Sequence, residues 1–413
     1  MGTLGSNLLG ITFLLITFLL ILLASNEFIK IKKILLVAFI LRALLVIIEQ
    51  FGLVRLPDGN SIASDAYSFV KWAKIFSDQK GLSVLIDFYV QDSKLISRII
   101  SIFYTLFGES VMMARIISVV LGTSSVYLIY SLCLRIWNKR SAEKAAWLTA
   151  VFPSLALYSA ITLREVYVVF FLLISLIGVA KYFENKSITS LFQVIFGFYM
   201  LSLFHGPAAL GGFVFLLYLI LDKIKFFISK LKFFKINLSF LGLIIIFITP
   251  VILFINFNIK FPYLGSFQDL TDLTNLKQVA NYGFRGEASY PNWLAINENN
   301  ELIIKTILRV VYFLYSPFFW DIKKFSYLIG SIDGIFYFTL TIYLIMNWPN
   351  IWANPTTRVF VLMFIVYLIV YAFGSANFGQ AFRHRSKFVV ILIILAAPKI
   401  HKFVFSFKKH YIR

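Results

Sequence analysis

Two carboxylates, Asp58 and Asp65, stand in the polar stretch Arg55-Leu-Pro-Asp-Gly-Asn-Ser-Ile-Ala-Ser-Asp-Ala-Tyr-Ser-Phe69, directly after an apolar run. Far along the chain a second polar group, Arg383-His384-Arg385-Ser386-Lys387, sits where another apolar run begins. Four cations or potential cations in five positions are costly beside hydrocarbon and call for anionic company. Phosphate or pyrophosphate suits them, because Arg offers planar bidentate donors and Lys a point charge. The competing reading is a snorkelling cluster on bulk lipid headgroups. A carboxylate near a held phosphate can take the proton of an attacking hydroxyl, while the cations stabilise charge on the departing phosphate. Such a pair suits displacement of a lipid-linked phosphate from a sugar's anomeric carbon, with inversion, provided both groups reach one side of a membrane.

The composition supports the membrane. Of 413 residues, 60% are hydrophobic and only 14% charged, whereas a soluble domain carries about a quarter charged residues. The formal charge of +20 comes from lysines clustered at the ends of apolar runs, the pattern of retained cytoplasmic loops rather than of a nucleic-acid partner. The single cysteine, Cys133, lies inside an apolar run and offers neither a disulfide nor a Cys-based metal site. His205 and His384 have no metal-ligand spacing, and no Gly-rich phosphate loop is present. No metal site is assigned, although a carboxylate-bound divalent cation stays open as a cofactor.

The elements that must position these residues are an all-α, polytopic bundle of about eleven spans. They are expected at 8–23, 34–48, 111–137, 145–161, 166–180, 191–204, 208–221, 236–255, 327–346, 359–373 and 388–397. The first has no basic residue before it and Lys30, Lys32 and Lys33 after it, which makes it a retained anchor with its N-terminus outside. Counting from there places outer loops at 53–110 and 256–326 within a single domain, 1–413. The same count puts Asp58, Asp65, Arg164, Glu165, His205, Arg285 and the 383–387 run on the outer face, opposite the side where a basic cluster belongs by the positive-inside rule. In the first outer loop, Phe69, Trp72, Ala73 and Phe76 fall at helical spacing among lysines and predict an interfacial helix. The short apolar stretches 99–107 and 303–319 predict further interfacial or re-entrant pieces.

Weaker candidates accompany these. Arg164 could contact donor phosphate, or form a local ion pair with Glu165 at a helix start. Glu165, His205, Arg285, Tyr290 and Trp320 could contact sugar or acceptor, since aromatic faces beside polar groups suit a sugar, as they also suit an aromatic belt.

With Pro57-Asp58, Asp65-Ala66-Tyr67-Ser68-Phe69, Ala114-Arg115 through Gly122, Ala145-Ala146, Phe152-Pro153-Ser154 and Leu163-Arg164-Glu165, roughly the first half of the chain resembles the C-type superfamily of integral membrane glycosyltransferases, the group of protein mannosyltransferases and aminoarabinose transferases. The resemblance implies a catalytic aspartate in the first outer loop, matched by Asp65 or Asp58. The Asp-Ala-x-x-Phe form favours Asp65, and Ala66 departs from the common Asp-Glu pair. The expectation is therefore a polyprenyl-phosphate-dependent, inverting glycosyltransferase of cell-surface glycan or glycoconjugate assembly. Asp65 would be its base, assisted by Asp58, and Arg383, His384, Arg385, Lys387 and Arg164 would be its donor-phosphate residues. Its partners would be the lipid-linked donor, membrane lipids and a glycan, lipid or protein acceptor. A polymerase or ligase using a lipid-pyrophosphate glycan is the enzymatic alternative, and a lipid-linked glycan transporter or flippase the non-enzymatic one; few charges lie at mid-span and no repeat stands out, against the latter. The lack of a eukaryotic retention signal points to a bacterial inner membrane with the site facing outward.

Overall fold

The computed structural model describes residues 3–27, 31–53, 65–89, 93–230, 272–284, 286–323 and 325–400. Asp58, Arg285 and the expected span 236–255 lie outside them. The fold is all-α: the described residues hold no strand, only one antiparallel bridge between Ser289 and Asn377. Six of their helices are long and apolar enough to cross a membrane. They are α1 (Thr3–Glu27), α5 (Val111–Ile136), α8 (Glu165–Asn185), α10 (Leu210–Lys230), α13 (Phe325–Met346) and α15 (Pro355–Phe373). α2 (Lys32–Gln50) carries three basic residues and one acid, and α9 (Ile188–Phe204) is a shorter apolar helix.

Two expected spans take another form. The stretch 145–161 is divided between α6 (Lys139–Val151) and α7 (Pro153–Tyr158), because Pro153 has no N–H for the helix and favours the first position of a new one. The stretch 388–397 is α17 (Val389–Ala396), a helix of 8 residues, all buried in protein. Its last carbonyls are met by side chains: Trp137 Nε1 donates to Ile394 O (2.9 Å) and Asn347 Nδ2 to Leu395 O (2.8 Å). Without such donors, the orphan carbonyls of a buried helix end would lack partners.

In the N-terminal half, α5 packs against α1, α2, α6 and α8, and α8 against α9. Gly122 lets α5 come close to the chain beyond α7, where an added Cβ would lie 2.4 Å from Ser159 Cβ. The first loop holds α3 (Asp65–Lys80) and α4 (Leu95–Phe107), packed on each other. Both are amphipathic: Phe69 and Ala73 of α3 and Ile96, Ile100 and Tyr104 of α4 are buried, and the Lys94 ammonium lies 3.3 Å from the Trp72 ring centre. The second long loop contributes α11 (Leu273–Asn281) and α12 (Glu301–Tyr315).

α16 (Phe378–Ser386) ties this loop to the core. Asn377 caps it, accepting from Gln380 N at 2.8 Å and donating to Gly283 O at 3.2 Å. Tyr290 N donates to Ala376 O and Phe378 N to Ala288 O, both at 2.9 Å. The short helix α14 (Trp348–Ala353) completes the set. Replacing Asn377 with Ala should cost about 1 kcal/mol through loss of the cap. Hydrogen exchange should then quicken in α16 and 286–291; unchanged protection there would show that the cap does not hold this corner.

Candidate active site

Three helix ends meet at the site. Asp65 opens α3 and Glu165 opens α8, both in first turns where a negative charge suits the helix dipole. Arg383 and Arg385 lie in the last turn of α16, with Lys387 at its C-terminal cap, where positive charge suits it equally. Arg383 joins the two acids: its Nη1 lies 2.9 Å from Asp65 Oδ2, and its Nε and Nη2 each lie 3.1 Å from Glu165 Oε1. Lys387 Nζ approaches the same Glu165 oxygen at 3.7 Å, and Arg164 Nη2 approaches Asp65 Oδ2 at 3.7 Å. Exposure is graded across the cluster, from 44% for the Asp65 side chain through 21% for Arg383 to 1% for Glu165. The outer carboxylate can meet a solvent-borne reactant, whereas the inner one is a counter-ion for the cations.

The helical period divides the basic run. Arg383 and Lys387, four positions apart, share one face of α16 and converge on Glu165. Arg385 points the other way. Its Nε donates to Asp333 Oδ2 (3.1 Å), its Nη1 to the carbonyls of Phe313, Leu314 and Ser316, and its Nη2 to that of Gly330. Both Arg385 and Asp333 are fully buried, and this guanidinium is engaged in the core rather than turned toward Asp65. His384 occupies a third direction, with Ser375 Oγ 3.3 Å from its Nδ1 and the His205 ring 5.8 Å away. Tyr371 Oη lies 3.1 Å from His205 Nδ1, and the Lys387 ammonium lies 5.6 Å from the Tyr371 ring centre. The structure thus brings together Asp65, Arg164, Glu165, Arg383 and Lys387, with His205 and His384 in a polar layer next to them. Tyr290 and Trp320 belong to a separate aromatic layer. Tyr290 is buried against Tyr312 and Phe378, while Trp320 stacks on Phe318.

Burial dominates the titration of this layer. It drives the Lys387 ammonium down to about 7; Arg383 and Arg164 push the same way, and Glu165 opposes them. Burial also holds His205 and His384 well below the ordinary histidine range, with Lys387 repelling their protons, so both are neutral at physiological pH. Among the described residues no group of three or more His, Cys, Asp or Glu is placed to hold a metal ion.

Asp333, Tyr371 and Arg42 were not among the expected residues. A signal existed for Asp333, the single carboxylate within the apolar run 327–346, since an acid in such a position needs a partner. Replacing Arg385 with Ala should leave Asp333 buried and unpaired, at a cost of about 3–5 kcal/mol. The double change Arg385→Met with Asp333→Leu removes the unpaired charge but still leaves the carbonyls of Phe313, Leu314, Ser316 and Gly330 without their donor, so it should recover only part of that. Thermal unfolding in detergent tests both, and a single variant as stable as the parent would refute the structural role of the pair.

Residues 94–254, less than half of the chain, match the model of the dolichyl-phosphate-mannose-protein mannosyltransferase family. No curated protein sequence matches the chain. Among solved structures it is similar to the archaeal oligosaccharyltransferase AglB from Archaeoglobus fulgidus, in complex with an inhibitory peptide and a dolichol-phosphate. The TM-score is 0.44 at 14% identity, covering 89% of this chain and 50% of that one, so the chain spans about half the length of that relative. The segment matching the mannosyltransferase family includes Arg164 and Glu165 but neither Asp65 nor α16, and over it the chain resembles the C-type polytopic membrane glycosyltransferases.

Proposed function

We propose that the protein is an inverting membrane glycosyltransferase that moves a sugar from a polyprenyl-phosphate donor to an acceptor hydroxyl on the outer face. The observation that carries this reading is the half-exposed Asp65 carboxylate, met by two guanidinium groups on one oxygen and backed by a buried carboxylate and ammonium. Arg164 and Arg383 are the partly exposed cations of the cluster and would meet the donor phosphate. Lys387 lies beneath and offsets Glu165. The resemblance over residues 94–254 supports the same chemistry.

In the reaction, the acceptor oxygen attacks the anomeric carbon as Asp65 takes its proton, and the bond from that carbon to the phosphate oxygen breaks. The electron pair leaves with the lipid phosphate, where Arg164 and Arg383 stabilise it. As phosphate engages these arginines, their hold on Asp65 loosens, which turns the carboxylate toward the acceptor.

Asp65→Asn should lower kcat by about 10²–10⁴ while the protein still inserts and purifies as before. Release of free polyprenyl phosphate from a polyprenyl-phosphate hexose, with a membrane extract as acceptor, is the readout. Unimpaired turnover in both Asp65→Asn and Asp58→Asn would refute the base assignment. Consumption of a pyrophosphate-linked glycan instead of the monophosphate donor would move the protein to the polymerase or ligase class.

A pH dependence follows from Lys387. Below about 7 its ammonium is charged, and above that it loses its proton. An incoming phosphate favours the charged form, so donor binding above pH 7 should take up a proton and weaken by up to about tenfold per pH unit. Titration calorimetry in buffers of different ionisation enthalpy measures the uptake. Lys387→Arg should abolish it, and an unchanged uptake in that variant would assign the proton elsewhere.

A further inference from the structure

Along α3, from Ala66 onward, lies a cavity of about 310 Å³, in the size range of small-molecule sites. One wall is α3, whose Tyr67, Lys71 and Lys74 fall four and three positions apart and so form one stripe. The facing wall carries Glu109, Arg115 and Thr162. Chain neighbours of the cluster line the cavity at two points. Ala66, which begins the α3 wall, follows Asp65, and Thr162 stands two residues before Arg164.

Both arginine contacts of Asp65 are made to Oδ2. Its other oxygen can therefore accept a proton while the first faces the phosphate side.

The lining has an excess of positive charge. Lys71, Lys74 and Arg115 stand against Glu109, whose carboxylate is 2.7 Å from Lys74 Nζ. Arg115 is 2% exposed and is held from behind, by Gln50 Oε1 at 3.0 Å and Glu49 at 4.0 Å. The hydroxyls of a neutral sugar can accept from these donors, but an anionic group would be attracted and oriented by the excess positive charge as well.

We propose that this cavity is the acceptor subsite, and that it takes an acceptor whose reacting hydroxyl is flanked by an anionic group, a carboxylate or a phosphate. The proposal rests on the glycosyl-transfer reading and specifies its second substrate. The acceptor O–H enters from the cavity and its oxygen bonds to the anomeric carbon. Asp65 receives the proton, and the carbon–oxygen bond to the lipid phosphate breaks with its electron pair going to that phosphate. Lys71, Lys74 and Arg115 hold the acceptor's own charge throughout.

The test uses the full chain in lipid nanodiscs with a polyprenyl-phosphate hexose and three disaccharide acceptors: a neutral one, its uronic acid and its 6-phosphate. Initial rates of lipid phosphate release give KM for each. The expected result is a KM for an anionic acceptor about tenfold or more below that of the neutral one. The double variant K71Q/K74Q should erase the difference without changing the donor KM, and E109Q should widen it. Preference for the uronic acid would mark an acidic glycan as acceptor, and preference for the phosphate a phosphorylated one; either supports the subsite. Equal KM values for neutral and charged acceptors, or a charge preference untouched in K71Q/K74Q, would overturn the subsite while leaving glycosyl transfer in place. No release with any acceptor would overturn the transfer reading and this proposal with it.

Discussion

Arg383 is the member on which the site depends, because its guanidinium forms close ion pairs with both carboxylates, Asp65 and Glu165. Glu165 is almost wholly withdrawn from solvent, and an acid in that condition is tolerated only with close cations. Its partners come from the end of α16, so that helix must end beside the start of α8. Much of the C-terminal architecture serves this placement: the Asn377 cap, the bridge to the 286–291 segment, and the turn into α17, whose residues are all buried. The cations are thereby fixed directly before a helix whose residues are all buried rather than to a free loop.

Three fully buried arginines, Arg42, Arg309 and Arg385, have a different task. Arg42 donates to the carbonyls of Ala38, Thr149 and Ala150, close to the point where α6 stops at Pro153. Arg309 donates to the carbonyls of Leu294, Ala280 and Phe373 and to Asn281 Oδ1. Arg385 collects four carbonyls together with Asp333. Each stands where helical backbone gives out inside the protein. Broken helices survive at such depth only if their freed carbonyls find donors, and a guanidinium, with five N–H groups in one plane, meets several at once.

Fold class was legible because long apolar runs admit few structures, and α3 because its apolar residues keep a helical spacing among lysines. The division of the basic run was legible in principle: at 3.6 residues per turn, positions 383 and 387 must share a face that 385 cannot. Reading the run as one phosphate clamp overlooked this. The joining of Asp65 to Arg383 could not be read, since it depends on the packing of α3, α8 and α16 across more than half of the chain. The interrupted span at Pro153 and the 8-residue α17 were hidden for another reason. Hydropathy reports how apolar a segment is, and a helix surrounded by protein looks the same as one surrounded by lipid.

On the proposed reading, the double engagement of Arg383 bears on a problem every enzyme of lipid-linked substrates faces. Bilayer headgroups present phosphate to such a site at an effective concentration far above that of any donor. An open pair of arginines would be occupied by ordinary phospholipid most of the time. Here the guanidinium groups already have anionic partners within the chain, and a phosphate must displace a carboxylate to enter. An ordinary headgroup has little to set against that loss, whereas a donor that also engages the site through its sugar does. On that reading the internal ion pairs would act as a competitor of fixed strength, setting the affinity that a ligand must exceed before it is treated as substrate.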